Sequence, residues 1–277
     1  MPTTWDPTLT SAELLALTRL LGEPHRDLAV LAEGNTSQRL ADGRLVVKAS
    51  GANLATATAE DFVVVDTDEV MAIVNEPTST QEDLTAALVA AGAPRPDGFP
   101  RRGSIETVVH AAVQHVAARL AGSAPGGSGT GTGDSARFVG HTHPTDVVGI
   151  LASVHAAQAW ACLVYSDEAV VIGRPLFVPY ASPGIGLGRI YAAALLEYTE
   201  RYGVLPQLVL LANHGIVAIA PTTAGVEAVS TMAVKGARVR ATAYAVGGVA
   251  PLTPEQVTSF FARDDIDERR ANLARGR

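Results

Sequence analysis

ARFVGHTHP, residues 136–144, begins as an apolar, strand-like run and ends on two histidines separated by one residue. Residues i and i+2 of a strand share a face, so His141 and His143 can reach one ion. LPQLVLLANHGIVAIAP, residues 205–221, repeats the pattern: Asn213-His214-Gly215 interrupts two apolar strands. Outward from these runs, RLVVKAS (44–50) and FVVVD (62–66) are β-branched stretches of strand length. Residues 28–40 carry apolar segments broken at Gly34-Asn35. The spacing predicts helices over 10–21, 80–91, 104–120, 145–158, 187–202 and 222–245, and a charged terminal helix beyond 252. Thr10 or Ser11 caps the first. A strand is expected near 160–165, and AVVIGRPLFVPY (169–180) carries strand signals. GAPRPDGFPRRG (92–103) is a loop, because its prolines and glycines cannot sit inside an element. AGSAPGGSGTGTGDS (121–135) is a low-complexity loop, expected to be mobile, dispensable for folding and close to the site entrance. It lies between a helix and the strand that helix feeds, so it is an insertion within one domain spanning 1–277. No internal repeat occurs.

The chain has 277 residues, enough for one large domain with a real core. Apolar residues make up 47% and charged residues 18%, which excludes disordered, collagen-like and coiled-coil classes. A net charge of −7 argues against nucleic-acid binding. A single cysteine, Cys162, permits no intrachain disulfide and no cysteine-rich zinc site, which suits a reducing cytoplasm. The N-terminus lacks the basic and apolar regions of a signal peptide. Val147–Tyr165 is 19 residues without formal charge, but it holds Ser153, His155 and Gln158 and has no basic flank. A buried helix followed by a strand is the better reading than a membrane span.

Glu106 sits in the first turn of a helix after Ser104. Zinc favours imidazole nitrogen, and a catalytic site holds three protein ligands with one position open. Two histidines from one strand and one from another supply that set. Taken alone, an HxH pair is more often hydrogen-bonded than metallated, and Glu106 alone is an ordinary first-turn acid. His110, four residues beyond Glu106 on the same helix face, is a ligand, a supporting partner or a packed residue. His25, His115 and His155 have no partner pattern. Gly34-Asn35-Thr36-Ser37 and Ala49-Ser50-Gly51 read either as turns whose amides cradle an anion or as ordinary turns. Neither matches a P-loop or dinucleotide fingerprint.

In order along the chain, GNTS (34–37), KASG (48–51), SIET (104–107) with His110, HTHP (141–144), PYASPG (179–184) and NHG (213–215) resemble the class II aldolase/adducin family. That family includes fuculose- and rhamnulose-phosphate aldolases and ribulose-phosphate 4-epimerases. The resemblance covers about residues 10–245. KASG and SxET look closest to rhamnulose-phosphate aldolase-like domains fused to dehydrogenases, and no dehydrogenase domain is expected within these 277 residues. The resemblance implies a single three-layer α/β/α domain around a mostly antiparallel sheet, assembled as a homotetramer. It implies that His141, His143 and His214 bind a divalent metal, zinc first, with manganese or cobalt as alternatives. It makes Glu106 the catalytic acid/base and places the substrate's phosphate or polar head on Asn35, Thr36, Ser50, Gly51 and Ser104. Tyr165 corresponds to a tyrosine that a neighbouring subunit contributes to protonation in some aldolases. One serine that often precedes the glutamate is replaced by Ile105. Either Arg101 and Arg102 compensate, or the substrate lacks phosphate.

Cleaving a C–C bond beside a ketone generates an enolate, which a chelated metal stabilises as a Lewis acid while a carboxylate moves the proton. A Schiff-base aldolase needs a desolvated lysine, and Lys48, in a strand beside Ser50-Gly51, is poorly placed for it. The expected function is therefore a metal-dependent aldolase acting on a small sugar or sugar phosphate. The alternatives are a 4-epimerase or 3-oxo sugar-acid decarboxylase using the same site, or a non-catalytic adducin-like module. Retention of three histidines and Glu106 argues against the last.

Overall fold

A computed structural model describes residues 2–123 and 133–274. Most of the glycine-rich stretch, residues 124–132, lies outside the described residues, and with it the expectation of a mobile loop there. The strands are β1 (Thr3–Thr4), β2 (Asn35–Arg39), β3 (Leu45–Lys48), β4 (Phe62–Val65), β5 (Phe138–Thr142), β6 (Leu176–Val178), β7 (Leu208–Leu211) and β8 (Gly215–Ala220). The helices are α1 (Ala12–Leu21), α2 (Thr67–Asn75), α3 (Gln81–Ala87), α4 (Thr107–Ser123), α5 (Thr145–Leu151), α6 (Ala156–Ala159), α7 (Ser166–Val171), α8 (Ile185–Tyr202), α9 (Thr223–Ala245), α10 (Pro254–Phe261) and α11 (Asp265–Ala274).

The strands form one sheet in the order β1-β4-β3-β2-β5-β8-β7-β6. Every neighbouring pair is antiparallel except β6 with β7. Both faces are buried, and the period of two sorts side chains between them. Leu45, Val47, Val63, Val65, Val139, Val217 and Ile219 join a core with α2, α4 and α8. Val46, Phe62, Val64, Phe138, Ile216 and Ala218 join a second core with α1, α5 and α9. The expected three-layer α/β/α architecture around a mostly antiparallel sheet is what the chain adopts. Among the described residues, no helix is long and apolar enough to cross a membrane.

Strand β2 stands apart because Asn35-Thr36-Ser37-Gln38-Arg39 has no apolar side chain, yet its first four residues are buried. Polar partners fill the place of hydrophobic contacts. Thr36 Oγ1 lies 2.6 Å from Thr18 Oγ1 of α1, and Ser11 Oγ donates to Gln38 Oε1 on that same face. Ser37 Oγ lies 2.7 Å from His110 Nδ1 of α4 on the other. GNTS is therefore not a turn with free amides: only Gly34 bends, and the rest is ladder paired with β3 and β5.

The caps follow the sequence signals. Ser11 Oγ accepts from Leu14 N to start α1. Helix α2 escaped the sequence reading, although Asp66 accepts from Asp68 N and Glu69 N at its start. The expected helix over 145–158 ends at Leu151, where Ser153 Oγ bonds the Ile150 carbonyl and the His155 amide. The expected strand near 160–165 does not form. Arg240 of α9 and Glu168 of α7, each about 1% exposed, pair inside the protein. The guanidinium donates to the carbonyls of Ala159 and Cys162, and Glu168 Oε2 accepts from Val164 N. A side-chain pair thus satisfies backbone groups that a ladder would otherwise take. The strand signals at 169–180 divide, since Ala169–Val171 belongs to α7, Gly173 breaks it, and only Leu176–Val178 is strand.

Candidate metal and catalytic centre

Three imidazoles and one carboxylate meet where β5, the β7–β8 hairpin and the start of α4 converge. His141 lies near the end of β5 on the α4 face, and His143 follows at i+2. Asn213, at φ 54°, turns the chain so that His214 enters beside them. Two glycines permit this closeness. A Cβ on Gly215 would lie 2.4 Å from the Thr142 carbonyl oxygen, and one on Gly34 would lie 2.7 Å from the His141 carbonyl oxygen. The three rings sit with centroids 4.7–4.9 Å apart. One ligand atom from each of Glu106, His141, His143 and His214 lies within 4.8 Å of all the others.

Glu106 precedes α4 and is mostly buried. Its Oε1 lies 3.1 Å from His214 Nε2, and its Oε2 lies 3.7 Å from His141 Nε2. Oε2 also accepts from Asn35 Nδ2 at 2.9 Å and from Ser104 Oγ at 3.3 Å. Burial alone would raise this carboxyl, but His141 and His214 hold it well below the usual carboxylate range. Burial works against protonation of His141 too, yet Glu106 lifts its pKa above the ordinary imidazole value. Burial, and then the charge of His141 and His214, depresses His143 to about 3.

The donor chemistry fits a divalent ion. His141 Nδ1 lies 2.8 Å from the Ile216 carbonyl, so that nitrogen carries the proton and Nε2 presents its lone pair. His143 Nε2 faces it at 3.0 Å. Two imidazole nitrogens on one tetrahedral zinc would stand about 3.3 Å apart. Glu33, missed in the sequence, places Oε2 3.6 Å from His143 Nδ1 and also accepts from Val30 N, so it backs the ring on the side away from His141.

The anion-holding candidates divide. Asn35 and Ser104 are joined by a 3.0 Å hydrogen bond and both touch Glu106. Ser50 and Gly51 follow β3, and Ser50 N donates to the Arg102 carbonyl, which draws residues 102–104 alongside. Thr36 is excluded from this group, since its hydroxyl meets Thr18 on the opposite face of the sheet. Arg101 cannot replace the missing serine, because its guanidinium binds the Glu60 carbonyl and stacks on Trp5. Arg95 also meets this turn, with Nη1 3.3 Å from the Ser50 carbonyl, while its Nη2 pairs with Asp97 at 2.6 Å. Tyr165 does not join the cluster within one chain. Its hydroxyl donates to Met232 Sδ of α9 at 2.7 Å, and burial, with Glu168 and Asp167, pushes it up to about 12.

Lys48 is no Schiff-base nucleophile in this arrangement. Its buried ammonium donates to the carbonyls of Ala32, Ala49 and Ala52 and ties the Glu33 loop to the Ser50 turn. Burial lowers it from 10.5 to about 8. Between those values the unfolded chain holds a proton that the folded chain has released, so stability rises with pH across that window. Below about 8 both states are protonated and the cost of burying the charge is fully felt, on the order of 3 kcal/mol. The stability of wild type minus that of Lys48→Met should climb between pH 8 and 10.5 in denaturant titrations. A flat difference would remove this account of Lys48.

Residues 12–239 match the family model described as Class II Aldolase and Adducin N-terminal domain. The chain belongs to the class II aldolase and adducin family. This class II aldolase-family chain is 25% identical over 217 residues to a Bacillus subtilis (strain 168) protein named "Uncharacterized oxidoreductase YuxG". That match covers 74% of this chain and only 26% of the relative, so the chain spans about a quarter of that protein's length. Among solved structures, YgbL from Klebsiella pneumoniae, titled a putative aldolase/epimerase/decarboxylase, aligns with a TM-score of 0.59. It is 20% identical, and the alignment covers 90% of this chain and 95% of that one. L-fuculose-1-phosphate aldolase from Thermus thermophilus aligns with a TM-score of 0.54 at 19% identity, covering 86% of this chain and 99% of that one. These likenesses establish the shared fold. Class II aldolases use a divalent metal, and the Glu106–histidine cluster of this family member could hold one.

Proposed function

We propose that this chain is a metal-dependent lyase that cleaves or forms a C–C bond beside the ketone of a small, anionic sugar derivative. The observation that carries this reading is the convergence of His141, His143 and His214 on the Glu106 carboxylate. The three imidazoles would hold the ion, zinc by preference for nitrogen donors. Bound there, the ion supplies Lewis acidity toward a ketone oxygen and its neighbouring hydroxyl. Glu106, ionised and fixed by Asn35 and Ser104, takes the proton from the substrate hydroxyl and returns it to carbon after the bond breaks. Ser50, Gly51 and Ser104 would receive the polar head of that substrate, a phosphate or carboxylate, through hydroxyl and backbone N–H donors.

The same groups would serve a 4-epimerase, which keeps the two fragments for re-addition, or a decarboxylase of a 3-oxo sugar acid. Metal analysis together with a screen of ketose phosphates and 3-oxo sugar acids separates these readings. Release of dihydroxyacetone phosphate or glycolaldehyde supports the lyase. Carbon dioxide or an epimerised product with no free fragment replaces it, and metal-free protein with full activity ends all three. We also read the chain as one domain that works as a homo-oligomer, in which Tyr165, whose hydroxyl meets Met232 in its own chain, would serve the site of another copy. An active monomer in light scattering contradicts that assembly.

A further inference from the structure

We propose that His110 is a positioning residue: it fixes the Asn35 carboxamide and, through it, aims the Glu106 carboxylate. The inference rests on the lyase reading of Glu106 and extends it to a residue that reaches Glu106 only through Asn35. His110 lies in the first turn of α4 and is fully buried. Its Nδ1 lies 2.7 Å from Ser37 Oγ, and its Nε2 bonds Asn35 Oδ1. Asn35 in turn gives its amide hydrogens to Glu106 Oε2 at 2.9 Å and Ser104 Oγ at 3.0 Å.

Only one arrangement of protons satisfies this chain. An ionised carboxylate can only accept, so the Asn35 nitrogen must face Glu106. The Asn35 oxygen then faces His110, whose Nε2 must carry the hydrogen. Burial keeps the ring neutral, with a pKa of about 3, so Nδ1 is bare and accepts from the Ser37 hydroxyl. The opposite tautomer would oppose two lone pairs at Asn35. Turning the amide to relieve that clash would point its oxygen at the Glu106 carboxylate. The network thus holds one amide orientation, and every member is partnered. Geometry supports the same conclusion, since Asn35 and Ser37 share one face of β2 and Glu106 and His110 stand one helical turn apart at the start of α4. A ring of similar size without nitrogen would fill the space and leave the amide free to turn.

The test combines His110→Phe, His110→Gln, Asn35→Ala and the His110→Phe/Asn35→Ala double variant, each checked for metal content and melting temperature. His110→Phe should lose about 10- to 100-fold in kcat with little change in KM and full metal content. His110→Gln, which keeps an N–H toward Asn35, should recover part of that loss. The double variant should be no slower than Asn35→Ala, because the two residues act in series. Losses that multiply, or an unimpaired His110→Phe, overturn the proposal. If His110→Phe fails to fold, His110→Gln and Ser37→Ala carry the same comparison. A crystal structure of metal-loaded His110→Phe, or of His110→Gln in its place, supplies a readout that needs no reaction. Loss of the Asn35–Glu106 contact supports the positioning role even if no sugar is cleaved and the lyase reading falls. An unchanged contact overturns it even if the lyase reading stands.

Discussion

Glutamine at position 106 should lower turnover by about 100-fold or more while the protein still folds and still binds metal. The substitution keeps the shape of Glu106 and an acceptor oxygen for Asn35 Nδ2, so the contacts that seat the start of α4 survive. What disappears is the carboxylate that lies against both His141 and His214. Geometry, and not the pKa direction, makes that group the candidate base, since it faces both imidazoles from the start of α4. Burial opposes charge, yet the two imidazoles hold it ionised, so the lone pair that proton transfer requires is present. The three histidines remain as ligands, so metal content measured beside kcat isolates the lost proton transfer. Undiminished turnover in Glu106→Gln would show that another group moves the proton.

His143→Ala should release most of the bound metal on dialysis, with affinity falling by more than the roughly 10- to 100-fold typical of outer partners. A three-imidazole site has no spare nitrogen. His141 cannot take over with its second nitrogen, because Nδ1 is committed to the Ile216 carbonyl. The fold should persist, since the chain at 143 is held by its own amide bonding the Leu28 carbonyl. His143 is also the most solvent-exposed of the three rings, so little packing is lost. A His143→Ala protein that keeps stoichiometric metal would remove His143 from the ligand set.

Much of this was legible in the chain because it depends on local spacing. The β-branched, apolar runs of β3, β4, β7 and β8 read directly as strand, and the i, i+2 step of His141 and His143 places both rings on one face. What escaped reading depends on partners far away in sequence. Residues 160–165 have strand composition, but Arg240, about 80 positions later, claims their neighbouring carbonyls. Thr36 sits between two site residues, and the same period of two that brings Asn35 to Glu106 turns Thr36 away. Arg101 looks free for an anion in the sequence, and only the fold brings Trp5 and Glu60 beside it. Glu33 carries no motif, and only the fold shows it behind His143. Helix α2 is a different case, since Asp66 with Asp68 and Glu69 is a cap that local sequence does carry.

Strand β2 has a consequence for how such chains can change length. A strand with one apolar face resists slippage because a one-residue shift exposes that face. The residues Asn35–Arg39 offer no apolar face, so their alignment against β5, where Asn35 stands opposite His141, is kept by Thr18, Ser11, His110 and Glu106 instead. Inserting or deleting one residue there would send Asn35 and Ser37 to α1 and bring Thr36 toward Glu106. The catalytic network would be lost at the same moment as the alignment it enforces. Gaps among related sequences should therefore gather in the hairpin after Leu40 and spare 35–39. A relative with a single-residue gap inside that segment should have abandoned the histidine cluster as well.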